Sequence, residues 1–74
     1  MANNIGELKR QFGERVRRLR LKRKWNQFDL SAATGYGRVF LSNLENGKHE
    51  PKLRTIMKIA EAFDMTISQL MRGL

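Results

Sequence analysis

With 74 residues, this chain has room for one domain with a thin core and no more. It has no cysteine and one histidine, His49, so disulfides, thiolate metal sites and histidine-rich metal sites are excluded and the core must come from packed apolar side chains. Fifteen Lys and Arg against seven acids give a formal net charge of +8, which either answers a polyanionic partner or keeps a small protein in solution.

The longest strongly apolar run, Val39-Phe40-Leu41, falls far short of a membrane span, and Met1 to Glu7 hold no apolar stretch of the signal-peptide kind. A cytoplasmic protein with no membrane partner is expected, associating with the nucleoid when bound to DNA. Punctuation falls at Gly35, Gly37, Gly47 and Pro51, and no stretch alternates with period two. The segments between these marks read as helices, five in all, in a single all-α domain over residues 1–74, with residues 1–4 expected to form a flexible arm.

The first helix carries Ile5, Leu8, Phe12, Val16 and Leu19 at spacings that make a narrow apolar stripe. Nine of the fifteen basic residues surround it, from Lys9 to Lys24. An amphipathic basic helix can lie on a membrane, but the stripe is what a small core requires, which leaves the charges as a solvated face. The second helix, Gln27 to Thr34, has Asn26 as N-cap and Asp29 at the positive end of its dipole, and Gly35 ends it. Leu30 and Ala33 are expected to point inward.

The third helix, residues 38–46, is the informative one. At 100° per residue, Phe40, Leu41 and Leu44 share one side, while Arg38, Val39, Ser42, Asn43 and Asn46 share the other. Glu45 falls at the margin. A generic surface helix would carry Glu and Lys on its outer face. Arg for guanine, Asn for adenine and a small apolar group for the thymine methyl are what a helix reading base edges needs. Lys48 to Lys52 read as a loop, with Pro51 fixing the entry to a fourth helix whose apolar side is Leu53, Ile56, Met57, Ile59, Ala60 and Phe63. The fifth opens on a capping box, Thr66-Ile67-Ser68-Gln69, with Ile67, Leu70, Met71 and Leu74 apolar.

Two short helices joined by a glycine-containing turn, the second with a polar face, form a helix-turn-helix arrangement. The runs Arg15-Val16-Arg17-Arg18-Leu19-Arg20, Trp25-Asn26-Gln27 and Leu41-Ser42-Asn43-Leu44-Glu45-Asn46-Gly47-Lys48 resemble the phage repressor and Cro (XRE-type) family. Pro51, Ile59-Ala60-Glu61-Ala62-Phe63 and Thr66-Ile67-Ser68-Gln69-Leu70 extend the likeness, which runs from about Phe12 to Leu70. The resemblance implies a five-helix lambda-repressor-like domain that regulates transcription, as a repressor, by binding double-stranded DNA. It implies a symmetric dimer on a partly palindromic operator, with the third helix in the major groove.

By the same resemblance, Arg38, Val39, Ser42 and Asn43 contact bases, Ser42 being within reach of a phosphate as well. Asn26, Gln27, Asn46, Lys48 and Lys52 contact phosphates, Gln27 aided by its own backbone N–H at a helix start. Arg20 and Glu45 pair as a structural salt bridge, the alternative being two ordinary solvated charges.

Three positions depart from the family pattern. Gly37 stands where a Ser or Thr usually caps the third helix, and Lys52 where a capping Ser is frequent. Phe28 should be exposed, either as a solitary aromatic or packed on the DNA backbone or a neighbouring chain. For the dimer interface the candidates are Met65, Met71 and Leu74, which serve equally well as the edge of the core.

An enzyme is not expected. There is no Ser/His/Asp set or metal cluster, and His49 with Glu50 reads as a loop pair. No cofactor, metal or small-molecule ligand is called for. The serious rival is an antitoxin or protein-interaction module that also binds its own promoter, since fold does not fix function. Such a module usually needs an extra tail or a large apolar patch, and the few residues after Leu70 are expected to offer none. RNA is a poorer partner still, because aromatic stacking platforms are missing.

Overall fold

Asn4 opens the first helix: its side chain accepts the Glu7 backbone N–H at 2.8 Å, satisfying one of the free donors of the first turn. The computed structural model describes residues 3–74, in which five α-helices and no strand are found. They are α1 (Ile5–Lys22), α2 (Gln27–Thr34), α3 (Arg38–Glu45), α4 (Leu53–Ala62) and α5 (Ile67–Leu70). Of the expected arm, Met1 and Ala2 lie outside the described residues, and Asn4 serves as the cap of α1. No helix among the described residues is long and apolar enough to cross a membrane.

The caps follow from local chemistry. Asn26 and Asp29 make a reciprocal capping box at α2, as do Thr66 and Gln69 at α5. Gly35 ends α2 at φ 82°, a left-handed conformation that glycine adopts without strain. Gly37 precedes α3 and Lys52 precedes α4, and neither side chain makes a capping hydrogen bond.

The core joins Phe12 and Val16 of α1, Leu30 of α2, Leu41 and Leu44 of α3, Ile59 and Ala60 of α4, Phe63 and Leu70. Helix α3 is packed between α1 and α2, while α4 packs on α2 and carries α5. At Gly13, α1 comes close against the backbone at the end of α3. A Cβ there would lie 2.6 Å from the Glu45 carbonyl oxygen and closer still to that of Leu44.

Several inward assignments change. In α2 the buried side runs through Leu30 and Thr34, and Ala33 is exposed; its Cβ points about 80° from the middle of that side. Thr34 is tolerated inside because its hydroxyl donates to the Leu30 carbonyl at 2.8 Å and accepts the Tyr36 N–H at 3.2 Å. In α4 the buried set is Thr55, Ile59 and Ala60, and Leu53 is 83% exposed with Met57 exposed as well. Both point a quarter turn or more from the side facing α2. Ile5 and Ile67 are exposed too, each at the first position of its helix. The single turn of α5 buries only Leu70.

Candidate nucleic-acid interface

Helix α3 has two sides with different tasks. Leu41 and Leu44 are fully buried, and Phe40 packs half-buried between Tyr36, at 5.0 Å, and His49, which meets it edge-on at 4.6 Å. On the opposite side Arg38, Val39, Asn43 and Asn46 are exposed and Ser42 is half-buried. Val39 is 78% exposed, a large apolar side chain with no part in the core.

The mounting of α3 is polar as well as apolar. Glu45 is buried, and the Arg20 guanidinium grips its carboxylate with two bonds, Nε to Oε2 at 2.8 Å and Nη2 to Oε1 at 3.0 Å. The side chains are 10% and 3% exposed. The Arg20 Nη1 also donates to the Trp25 carbonyl at 2.9 Å, so one guanidinium ties α1 to α3 and to the turn before α2. A bidentate Arg–carboxylate pair fixes orientation as well as distance. Gln27 adds a weaker bond from Nε2 to Glu45 Oε1 at 3.4 Å, which places the start of α2 beside the end of α3. The turn between α2 and α3 is closed by the Ser31 hydroxyl, which donates to the Tyr36 carbonyl at 2.6 Å, and the Tyr36 hydroxyl reaches Thr55 Oγ1 at 3.3 Å.

After α3 the chain turns at Gly47, whose φ of 73° is left-handed and whose Cα faces the Arg10 backbone too closely for a side chain. The Lys48 N–H then returns to the Asn43 carbonyl at 2.9 Å. Lys48 and Lys52 are both exposed beyond this turn.

Of the phosphate-contact candidates, Asn46, Lys48 and Lys52 have exposed side chains, and Gln27 is half-buried and shared with Glu45. Asn26 is exposed but its Oδ1 is occupied as the cap of α2, which leaves its amide Nδ2 to meet a phosphate.

Sequence reasoning missed three sets of arginine contacts, of which only those of Arg10, at i,i+3 and i,i+4, carry a local signal. Arg15 donates to the Leu70 and Gln69 carbonyls at 3.0 and 2.9 Å, closing the end of α5. Arg23 donates to the Phe63 carbonyl at the end of α4 and lies over the Phe63 ring. Arg10 bridges Glu7 and Glu14 along α1. With Arg20, these residues correct the picture of α1 as a solvated basic face: part of its charge caps helix ends. Phe28 is 61% exposed, as expected, and the Arg38 guanidinium lies over its ring, a contact the sequence does not signal.

Two short helices with a left-handed glycine between them, and an outer face of Arg, Val, Ser and Asn pinned by a buried ion pair, coincide with a known pattern. A family model described as "Helix-turn-helix" matches residues 16–70. The chain belongs to the helix-turn-helix family, of the phage repressor and Cro (XRE) type. The helix-turn-helix chain is 41% identical over 61 residues to the HTH-type transcriptional repressor RghR of Bacillus subtilis, a match covering 81% of this chain and 45% of that protein. It is 32% identical over 59 residues to the cryptic phage CTXphi transcriptional repressor RstR of Vibrio cholerae, covering 80% of this chain and 53% of that one. It therefore spans about half the length of these curated relatives. Among solved structures, it is similar to the restriction-modification controller protein C.AhdI of Aeromonas hydrophila, with TM-score 0.79 and 31% identity over 86% of this chain and 96% of that one.

Proposed function

We propose that this protein is a sequence-specific transcriptional regulator, a repressor, that binds a partly palindromic operator in double-stranded DNA as a homodimer. Helix α3 enters the major groove. Arg38, Val39, Ser42 and Asn43 meet base edges, and Asn26, Gln27, Asn46, Lys48 and Lys52 meet the flanking phosphates. The observation that carries the reading is the outer face of α3. Its side chains contribute little to the core, carry no acid, and match the donors, acceptors and apolar contact offered by guanine, adenine and thymine. The net charge of +8 supplies the sequence-independent part of the affinity. The names of RghR and RstR as repressors support the direction of control. Dimerisation doubles the short site that one domain of this size can read. Met65, Met71 and Leu74 are half-buried at the edge of the core and offer apolar surface for it.

Selection from a random duplex pool at moderate salt tests this directly. The expected product is a partial palindrome with half-site centres about 34 Å apart, bound far more tightly than scrambled DNA. Binding without sequence preference would overturn the proposal.

A further inference from the structure

The Arg38 guanidinium carbon lies 3.9 Å from the centroid of the Phe28 ring, contact distance for a cation over an aromatic face. Phe28 sits in the first turn of α2 and Arg38 is the first residue of α3, so the pair bridges the two helices of the motif at the surface. The ring is 61% exposed. Among the described residues Arg38 enters no ion pair, those present belonging to Arg10 and Arg20. The aromatic face is therefore what holds it.

We propose that Phe28 is a positioning residue that orients Arg38 for two-point pairing with a guanine in the half-site. The proposal rests on the reading of α3 as the base-reading helix. Its physical basis is the shape of the guanidinium. The N–H donors lie in the plane of the group, at its edge, and the ring occupies its face. Stacking and in-plane donation are perpendicular, so Arg38 keeps the ring while its edge meets guanine O6 and N7. A free surface arginine must give up its rotamer freedom on binding, and one already held flat against a ring gives up less. The ring also keeps water from one face of the cation. Lysine at position 38 could not use this platform in the same way, because its ammonium has no flat edge to present.

The test uses the full chain in its parent form and as Phe28→Leu, Phe28→Tyr, Arg38→Ala and the Phe28→Leu/Arg38→Ala double variant. Leucine keeps apolar bulk without the aromatic face, and tyrosine keeps the face. Position 28 is exposed, and thermal melts establish that each variant folds. In the free protein, the Arg38 side-chain protons should show an upfield ring-current shift by NMR that disappears in Phe28→Leu. On the selected duplex, Phe28→Leu should weaken binding about two- to fivefold, the range for an exposed cation–π pair. Phe28→Tyr should retain affinity, and affinity for random DNA should not change. In the Arg38→Ala background the leucine substitution should have no further effect. Equal weakening in both backgrounds would mean that the ring acts on the DNA or on a neighbouring chain, and would overturn the proposal. So would an absent ring-current shift. A parent chain without sequence preference would bring down the reading of α3, and this proposal with it. A selective parent with an unaffected Phe28→Leu variant overturns this proposal alone.

Discussion

Replacing Arg20 by Ala removes the polar joint that seats α3. The guanidinium makes two bonds to Glu45, at 2.8 and 3.0 Å, and a third to the Trp25 carbonyl at 2.9 Å. After the substitution, the buried Glu45 carboxylate keeps only the 3.4 Å contact from Gln27 to solvate its charge. Breaking a buried pair from one side costs about 3–5 kcal/mol, chiefly because an uncompensated charge remains. A domain of this size has a total stability on the order of 4–11 kcal/mol, so the loss is a large fraction of it. At about 2.1 cal/mol/K of unfolding entropy per residue, the midpoint should fall by roughly 20–30 °C. Thermal melts followed by circular dichroism, with calorimetry for the enthalpy, read this directly. Arg10→Ala is the control. It removes an arginine with two carboxylate partners, but an exposed one, and should leave the midpoint nearly unchanged. The double variant Arg20→Met/Glu45→Leu should recover most of the loss, since a buried pair can be exchanged for apolar residues at little cost. An Arg20→Ala midpoint within about 5 °C of the parent would refute the argument, because a charge left in the core cannot be that cheap.

Gly13→Ala and Gly6→Ala should move stability in opposite directions. The Gly13 Cβ would run into backbone oxygens of α3, which cannot step aside, costing about 1–2 kcal/mol by denaturant titration, whereas the Gly6 Cβ meets only Asn4 Oδ1 at an ordinary 3.5 Å and should be neutral or favourable. The Glu7 carboxyl is held below the usual range, first by its hydrogen bond from Arg10, and in Arg10→Ala its NMR titration midpoint should rise. Because the folded value is depressed, this contact acts above the ordinary glutamate range near about 4.3 and fades as pH falls through the folded value. A midpoint unmoved by Arg10→Ala would remove that explanation. Arg38→Ala and Asn43→Ala should each cost about 1–3 kcal/mol on the selected duplex and relax base preference, while Lys48→Ala should weaken all sequences alike and lower the salt slope by about one. Identical behaviour of the Arg38 and Lys48 variants on specific and random DNA would contradict the docking of α3.

What could be read from the sequence is what acts locally. Asn26 with Asp29, Thr66 with Gln69, and Gly35 declare their helix ends because a cap acts within three or four residues of chain. The outer face of α3 was legible on a helical wheel for the same reason. Ala33, Leu53 and Met57 were misassigned because a wheel gives the relative directions of side chains, and the inward direction depends on which other helices arrive. Glu45 shows the limit well. The wheel alone leaves it at the margin, and its burial depends on a guanidinium 25 residues away. The Arg15 and Arg23 contacts with helix ends 55 and 40 residues distant have no local signature at all. The exposure of Phe28 was readable, but its partner across the turn was not.

The division of α3 into a seated side and a free side has an evolutionary consequence. Leu41, Leu44 and Glu45 hold the helix, and Arg38, Val39 and Asn43 take little part in holding it. Mutations at the second set can therefore be accepted one at a time without passing through an unfolded intermediate. If α3 reads bases as proposed, a descendant of this chain could acquire a new target by drift across three surface positions, keeping the same scaffold throughout.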